Sequence, residues 1–169
     1  MYRILVEGGI LIYKNSCCFF GHREIIETED LRKNLFVILE ALVKKEEVEI
    51  FVFGSKSRFN NLCYEMVTKP KEKYPKISRI YIRGEYENAN DSYISYFLEK
   101  YEETYFSVQA VNATKAVYIK RNYEMIDLCE RCVIYYNEKC MPKTRKSGTK
   151  IALDYAIKKS KKIYLISGK

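Results

Sequence analysis

The sequence predicts an α/β domain of Rossmann-like, three-layer form, with a mostly parallel sheet of about five strands. Three observations predict it. Several apolar runs are too short for helices and almost free of polar residues, as in strands buried on both faces. These runs alternate with stretches whose apolar residues recur at helical spacing, the mark of parallel βαβ units. Glycine or serine accompanied by a basic residue follows four of the strand runs, where open parallel sheets bind ligands.

The elements follow in order. Residues 1–15 read as an extension: Ile4, Leu5, Val6 and Ile10, Leu11, Ile12 flank Gly8-Gly9, the pattern of a β-hairpin on the sheet edge or at a partner interface. The single main domain is expected over 16–169. Ser16–Phe20 is a buried strand ended by Gly21. Thr28 caps a helix carrying Leu31, Leu35, Ile38, Leu39 and Leu42, with Asp30 in its first turn. Val48–Phe53 is the next strand, closed by Gly54-Ser55. Phe59, Leu62, Cys63, Met66 and Val67 mark a second helix that Pro70 is expected to break or kink. Ile77–Ile82 is a third strand. Ser92–Tyr101 suggests a short helix, and Tyr105–Val108 a strand or irregular chain. Helical spacing returns from Thr114 to Leu128, Cys132–Tyr136 is a strand, and 138–146 a polar loop. Ser147 starts the last helix, and Lys162–Ile166 is the last strand.

A chain of 169 residues is one domain by length, and with 47% hydrophobic and 31% charged residues it is neither disordered nor fibrous. No apolar run approaches the ~18 residues of a membrane-spanning helix, so no membrane partner is expected. Met1–Tyr13 contains Glu7 and lacks a cleavage-like site, so no signal peptide is read there. The net charge of +8 comes from 30 basic and 22 acidic residues, and the surplus gathers after residue 138. Such a tail suits an anionic partner, a phosphate compound or nucleic acid, or else a solvated helix face. Of the 6 cysteines, Cys17, Cys18 and Cys63 sit in apolar runs as core residues do, which points to a reducing, cytoplasmic setting. Cys129-Glu-Arg-Cys132 has knuckle spacing, but only Cys140 lies near it and there is 1 histidine, so no metal site is read and no cofactor is called for.

The candidate site consists of four loops: Gly21-His22-Arg23, Gly54-Ser55-Lys56-Ser57-Arg58, Arg83-Gly84-Glu85 and Asn137–Thr149. Lys146-Ser147-Gly148-Thr149 lies at a helix start, whose unpaired N–H groups and positive dipole end suit phosphate. An ordinary serine cap is the alternative. Gly54–Arg58 is a similar turn, although neither matches a P-loop. Arg23 can grip phosphate and His22 can move protons near neutral pH. Arg121 and Asn122 can line the cleft while Asp127 caps or pairs locally; a surface ion pair is the alternative.

These residues resemble a known group. Cys18-Phe-Phe-Gly-His-Arg23, the turn Gly54–Phe59 with Asn60, and Lys73-Tyr74-Pro75 leading into a strand form its first blocks. Arg121-Asn122-x-x-Met125-Ile126-Asp127, a strand ending in Tyr135-Tyr136, and Ser147-Gly148-Thr149-x-x-Ala152-x-x-Tyr155-Ala156 form its last. The combination, over roughly residues 16–166, is similar to the SLOG superfamily of Rossmann-like domains, nearest its small bacterial branch. The resemblance implies a nucleotide or ADP-ribose-like ligand with its phosphate at the Ser147-Gly148-Thr149 helix start, and a homodimer. Some relatives are phosphoribohydrolases, some sense ADP-ribose-type messengers, and another handles single-stranded DNA. The hydrolase pattern is Gly-Gly-x-Gly-Thr-x-x-Glu, and its catalytic Glu corresponds to Ala152 here.

The expected function is therefore binding or sensing of such a ligand through Gly21, His22, Arg23, Gly54, Ser55, Arg58, Arg121, Asn122, Lys146, Ser147, Gly148 and Thr149, without a catalytic residue. The alternatives are nucleotide N-glycosidic hydrolysis using His22 or Asp127, and nucleic-acid binding through the basic C-terminal segment.

Overall fold

A computed structural model describes residues 3–6, 10–140 and 147–168 of the chain. Local chemistry explains where its elements begin. Thr28 Oγ1 accepts the Leu31 N–H at the start of α1 (Glu29–Lys44), with Glu29 and Asp30 in the first turn facing the positive dipole end. Ser57 caps α2 (Arg58–Lys71), Asn90 caps α3 (Asp91–Leu98) and Ser147 caps α5 (Gly148–Lys158) in the same way. Helix α4 (Val117–Leu128) has no side-chain cap and grows instead out of a 3-10 turn over Thr114–Ala116.

The strands are β1 (Arg3–Val6), β2 (Ile10–Gly21), β3 (Ile50–Phe53), β4 (Ser78–Arg83), β5 (Glu103–Phe106), β6 (Cys129–Tyr136) and β7 (Lys162–Ser167). They form one sheet in the order β5-β4-β3-β2-β6-β7, parallel throughout, with β1 added antiparallel to β2. The expected Rossmann-like α/β architecture is present. The segment left between strand and irregular supplies the sixth parallel strand, Glu103–Phe106, two residues earlier than the apolar pattern suggests. It is an edge strand and carries polar residues that a central one would exclude.

Alternation along β2 divides the interior in two. Cys17 and Phe19 face one core with Leu35, Leu39 and Leu42 of α1 and Phe59, Leu62 and Val67 of α2. Cys18 and Phe20 face the other, with Met125 and Ile126 of α4 and Ala152 and Ala156 of α5. Burying both faces explains the near-continuous apolar runs of β2, β3 and β6.

Three details differ from the sequence reading. The hairpin arm and the first core strand are one strand: Ile10–Tyr13 pairs with β1, and Cys17–Gly21 continues in the parallel sheet. The join is a register shift between Tyr13 and Cys17, with Asn15 at φ 53, a left-handed conformation that asparagine tolerates. Pro70 does not break α2 ahead of itself but lies in its last turn, where its carbonyl still accepts the N–H groups of Lys73 and Tyr74 at 3.0 and 2.8 Å. Strand β6 begins at Cys129, three residues before the Cys132 start that the apolar run suggests. Among the described residues no helix is long and apolar enough to cross a membrane.

Candidate functional site

Strand order reverses where β2 lies between β3 and β6, and loops leaving a parallel sheet diverge at such a point. Here they enclose a cleft of about 1180 Å³ above the ends of β2, β3 and β4, closed on the β6 side by the start of α5. Gly21, His22 and Arg23 form its wall after β2, and Gly54 and Ser55 that after β3. Arg121 and Asn122 enter from α4, and Ser147, Gly148 and Thr149 from the start of α5. Ten of the twelve expected ligand-binding residues thus line one cavity. Arg58 does not: the turn aims its side chain outward, where Nε pairs with Glu27 Oε1 at 2.7 Å. Lys146 lies outside the described residues.

Small residues fix the geometry. A Cβ on Gly54 would lie 2.5 Å from Met125 Sδ and 3.0 Å from Arg121 Nε, so the α4 side chains rest directly on this backbone. A Cβ on Gly21 would lie within 2.6 Å of the Phe59 ring. A Cβ on Gly148 would meet nothing within 4 Å among the described residues, and this position lines the cleft. Ser147 Oγ accepts the Lys150 N–H and its carbonyl accepts that of Ile151. Among the described residues the Gly148 and Thr149 N–H groups have no acceptor, leaving two donors at the positive end of α5. The α2 start differs, because the Arg23 carbonyl takes the Arg58 N–H at 2.8 Å.

The charge balance is cationic. Arg23, Lys56, Arg83, Lys115 and Arg121 line the cleft against Glu24 and Glu85. Arg121 is 6% exposed, lies over the Tyr118 ring at 5.3 Å, and among the described residues donates only to Asn122 Oδ1, at 3.0 and 3.3 Å. Arg83 is equally buried and donates Nη1 to the Tyr86 carbonyl at 2.8 Å, while its buried Nε has no acceptor among the described residues. Among the described residues neither guanidinium has a carboxylate within ion-pair distance. Burial lowers the pKa of both from the usual arginine value. Asn60, at the start of α2, donates Nδ2 to the Phe19 carbonyl at 3.4 Å, and its buried Oδ1 has no donor among the described residues.

His22 is buried beside Tyr135 and Tyr136. Its Nε2 accepts the Asn137 N–H at 2.9 Å, and burial lowers its pKa, so the ring is neutral with its proton on Nδ1. Asp127 stands at the other end of α4, away from the cleft, accepting from Gln109 and Tyr155 and pairing with Lys159 at 3.1 Å. The cleft carboxylates are Glu24 and Glu85, the latter accepting from Tyr118 Oη at 2.7 Å. Sequence reasoning reaches Arg83, Glu85 and Lys56 only as parts of strand-end loops, and it misses Glu24, Asn60, Tyr93, Lys115 and Tyr118 as cleft residues.

Cys129 and Cys132 are free and buried, and Cys132 Sγ lies 3.6 Å from Cys18 Sγ. Among the described residues no cluster of His, Cys, Asp and Glu could hold a metal ion. In the basic C-terminal segment, Lys150 pairs with Asp154, Lys159 with Asp127 and Lys162 with Glu46, on separate parts of the surface. No protein-family model and no curated protein matches the chain significantly.

Proposed function

We propose that the cleft binds a nucleotide or nucleotide-derived, ADP-ribose-like molecule, as the likeness to SLOG domains implies. One phosphate group sits at the start of α5 on Ser147, Gly148 and Thr149, and Arg121 neutralises charge from the facing wall. The observation that carries this reading is Arg121 itself. A guanidinium buried without a carboxylate is costly, and a bound anion relieves the cost. The open N–H groups of α5 supply a second attraction of the same sign.

Binding is preferred to N-glycosidic hydrolysis because Ala152, the counterpart of the hydrolase glutamate, is fully buried in the α4–α5 core and Asp127 is engaged outside the cleft. It is preferred to nucleic-acid binding because Lys150, Lys159 and Lys162 of that segment are held by carboxylates on separate parts of the surface. Pairing of two copies belongs to the same proposal, and a monomer at every concentration in sedimentation would remove that part.

Thermal unfolding in the presence of nucleotides and ADP-ribose derivatives tests the reading. At 100 times Kd the stabilisation is about 2.7 kcal/mol, roughly 5–10 °C for a chain of this size. No shift with any of them at millimolar concentration refutes it.

A further inference from the structure

The α5 start and Arg121 account for one phosphate and leave two buried polar atoms unused. Among the described residues Arg83 Nε, at the end of β4, has no acceptor, and Asn60 Oδ1, at the α2 start, has no donor. Both residues line the cleft. Their order across the sheet is informative. The α5 start follows β6. Asn60 reaches across to the Phe19 carbonyl of β2. Arg121 rests on Gly54 and Gly84, beyond β3 and β4, and Arg83 closes the row. From β6 to β4 is three inter-strand steps, about 14 Å of backbone separation. The cleft thus presents an anion seat, a lone acceptor and a second cationic seat in line.

A single phosphate cannot reach both ends, and one pyrophosphate group has no hydroxyl to offer Asn60. Resting on the nucleotide reading above, we propose that the ligand carries two phosphate groups held apart by a ribose. One sits on the α5 N–H groups and the other on the Arg83 guanidinium, with Arg121 between them and a sugar hydroxyl donating to Asn60 Oδ1. The Arg83 environment fits this role. Its planar fork keeps Nε available because the Tyr86 carbonyl occupies only Nη1. Tyr93 stands with it in the cleft wall.

The test is calorimetric titration with adenosine 5′-monophosphate and adenosine 3′,5′-bisphosphate. The bisphosphate is expected to bind at least tenfold more tightly. Arg83→Gln should bring the ratio of the two affinities close to one, and Arg83→Lys, which keeps the charge without the fork, should restore part of it. Without ligand, Arg83→Gln should melt no lower than the parent, because it removes a buried charge that only the Tyr86 carbonyl offsets among the described residues; a merely structural arginine would lower the melting temperature. Monophosphate binding with no bisphosphate advantage in the parent overturns the second seat and leaves the nucleotide reading intact. Failure of both compounds to bind overturns both. Should Arg83→Gln not fold, the parent ratio and Arg83→Lys decide.

Discussion

Replacing Arg121 by methionine should move stability and binding in opposite directions. Methionine retains much of the stem that lies against Gly54 and Gly84 and removes the charge. Three effects set the sign in the unliganded protein. The buried charge without a carboxylate costs several kcal/mol, and this cost disappears. The contact with the Tyr118 ring, worth about 1 kcal/mol, is lost. The hydrogen bonds to Asn122 Oδ1, worth roughly 1.5–3 kcal/mol together, are lost as well. The balance is a gain of about 1 kcal/mol, or roughly 2–4 °C in melting temperature. Toward a phosphate ligand the variant loses a charge-assisted hydrogen bond of about 1.5–3 kcal/mol, a ten- to hundredfold weaker Kd. Urea unfolding measures the first quantity and calorimetric titration with adenosine 5′-monophosphate the second. A variant destabilised by 1 kcal/mol or more with unchanged affinity would refute the reasoning, since Arg121 would then be a structural residue.

Other variants probe separate parts of the molecule. A Cβ on Gly148 meets nothing within 4 Å among the described residues, so Gly148→Asp should leave folding unaffected while its carboxylate repels the phosphate; titration of a normally folded variant with unweakened binding would move the anion elsewhere. Gly54→Ala drives a methyl group into Met125 and Arg121 and should cost about 1–3 kcal/mol of stability, with weaker ligand binding because the guanidinium is displaced; urea unfolding beside titration reads both, and an unchanged midpoint would contradict the close approach. Glu46, against which burial works, is brought down to about 2 by hydrogen bonds from Lys162, Tyr164 and Arg131. A carboxylate with a depressed folded-state pKa stabilises above its unfolded value of about 4.3 and loses that contribution as pH falls toward 2. Acid titration of stability should therefore be flatter in Glu46→Gln by about 2 kcal/mol over that window, and identical slopes in both proteins would contradict the assignment.

Much of the fold is legible because the signals are local. Thr28 and Ser147 announce helix starts through side chains that need only the next three residues. The runs of β2, β3 and β6 are legible because both faces are buried. What escapes depends on the tertiary setting. The strand character of Glu103–Phe106 comes from pairing with β4, residues that its own composition does not report. The continuity of the hairpin arm with β2 rests on a backbone reversal at Asn15 and on the Glu130 carboxylate that accepts its N–H at 2.7 Å, from across the sheet. Within the site, glycine and hydroxyl residues beside strand ends are readable, since loop chemistry is written in sequence. The orphaned atoms of Arg83 and Asn60 are not, because a missing partner is a property of everything that surrounds a side chain. Arg58 makes the same point in reverse: its loop is the expected one, and a turn of helix sends it to Glu27.

The position of β2 has a consequence for how the chain assembles. On one side Cys18 pairs with Val52, a neighbour in the sequence on the scale of one βαβ unit. On the other it pairs with Cys132, whose side chain it meets across 114 positions. Closing so long a loop is entropically demanding, and contacts of this range slow folding. During synthesis β2 to β5 can join as soon as they emerge, while the seam with β6 waits for the last third of the chain. The cleft straddles that seam. Ligand binding would therefore register the completion of folding, because a chain that has built only its first half has Arg83 but not the α5 end of the cavity.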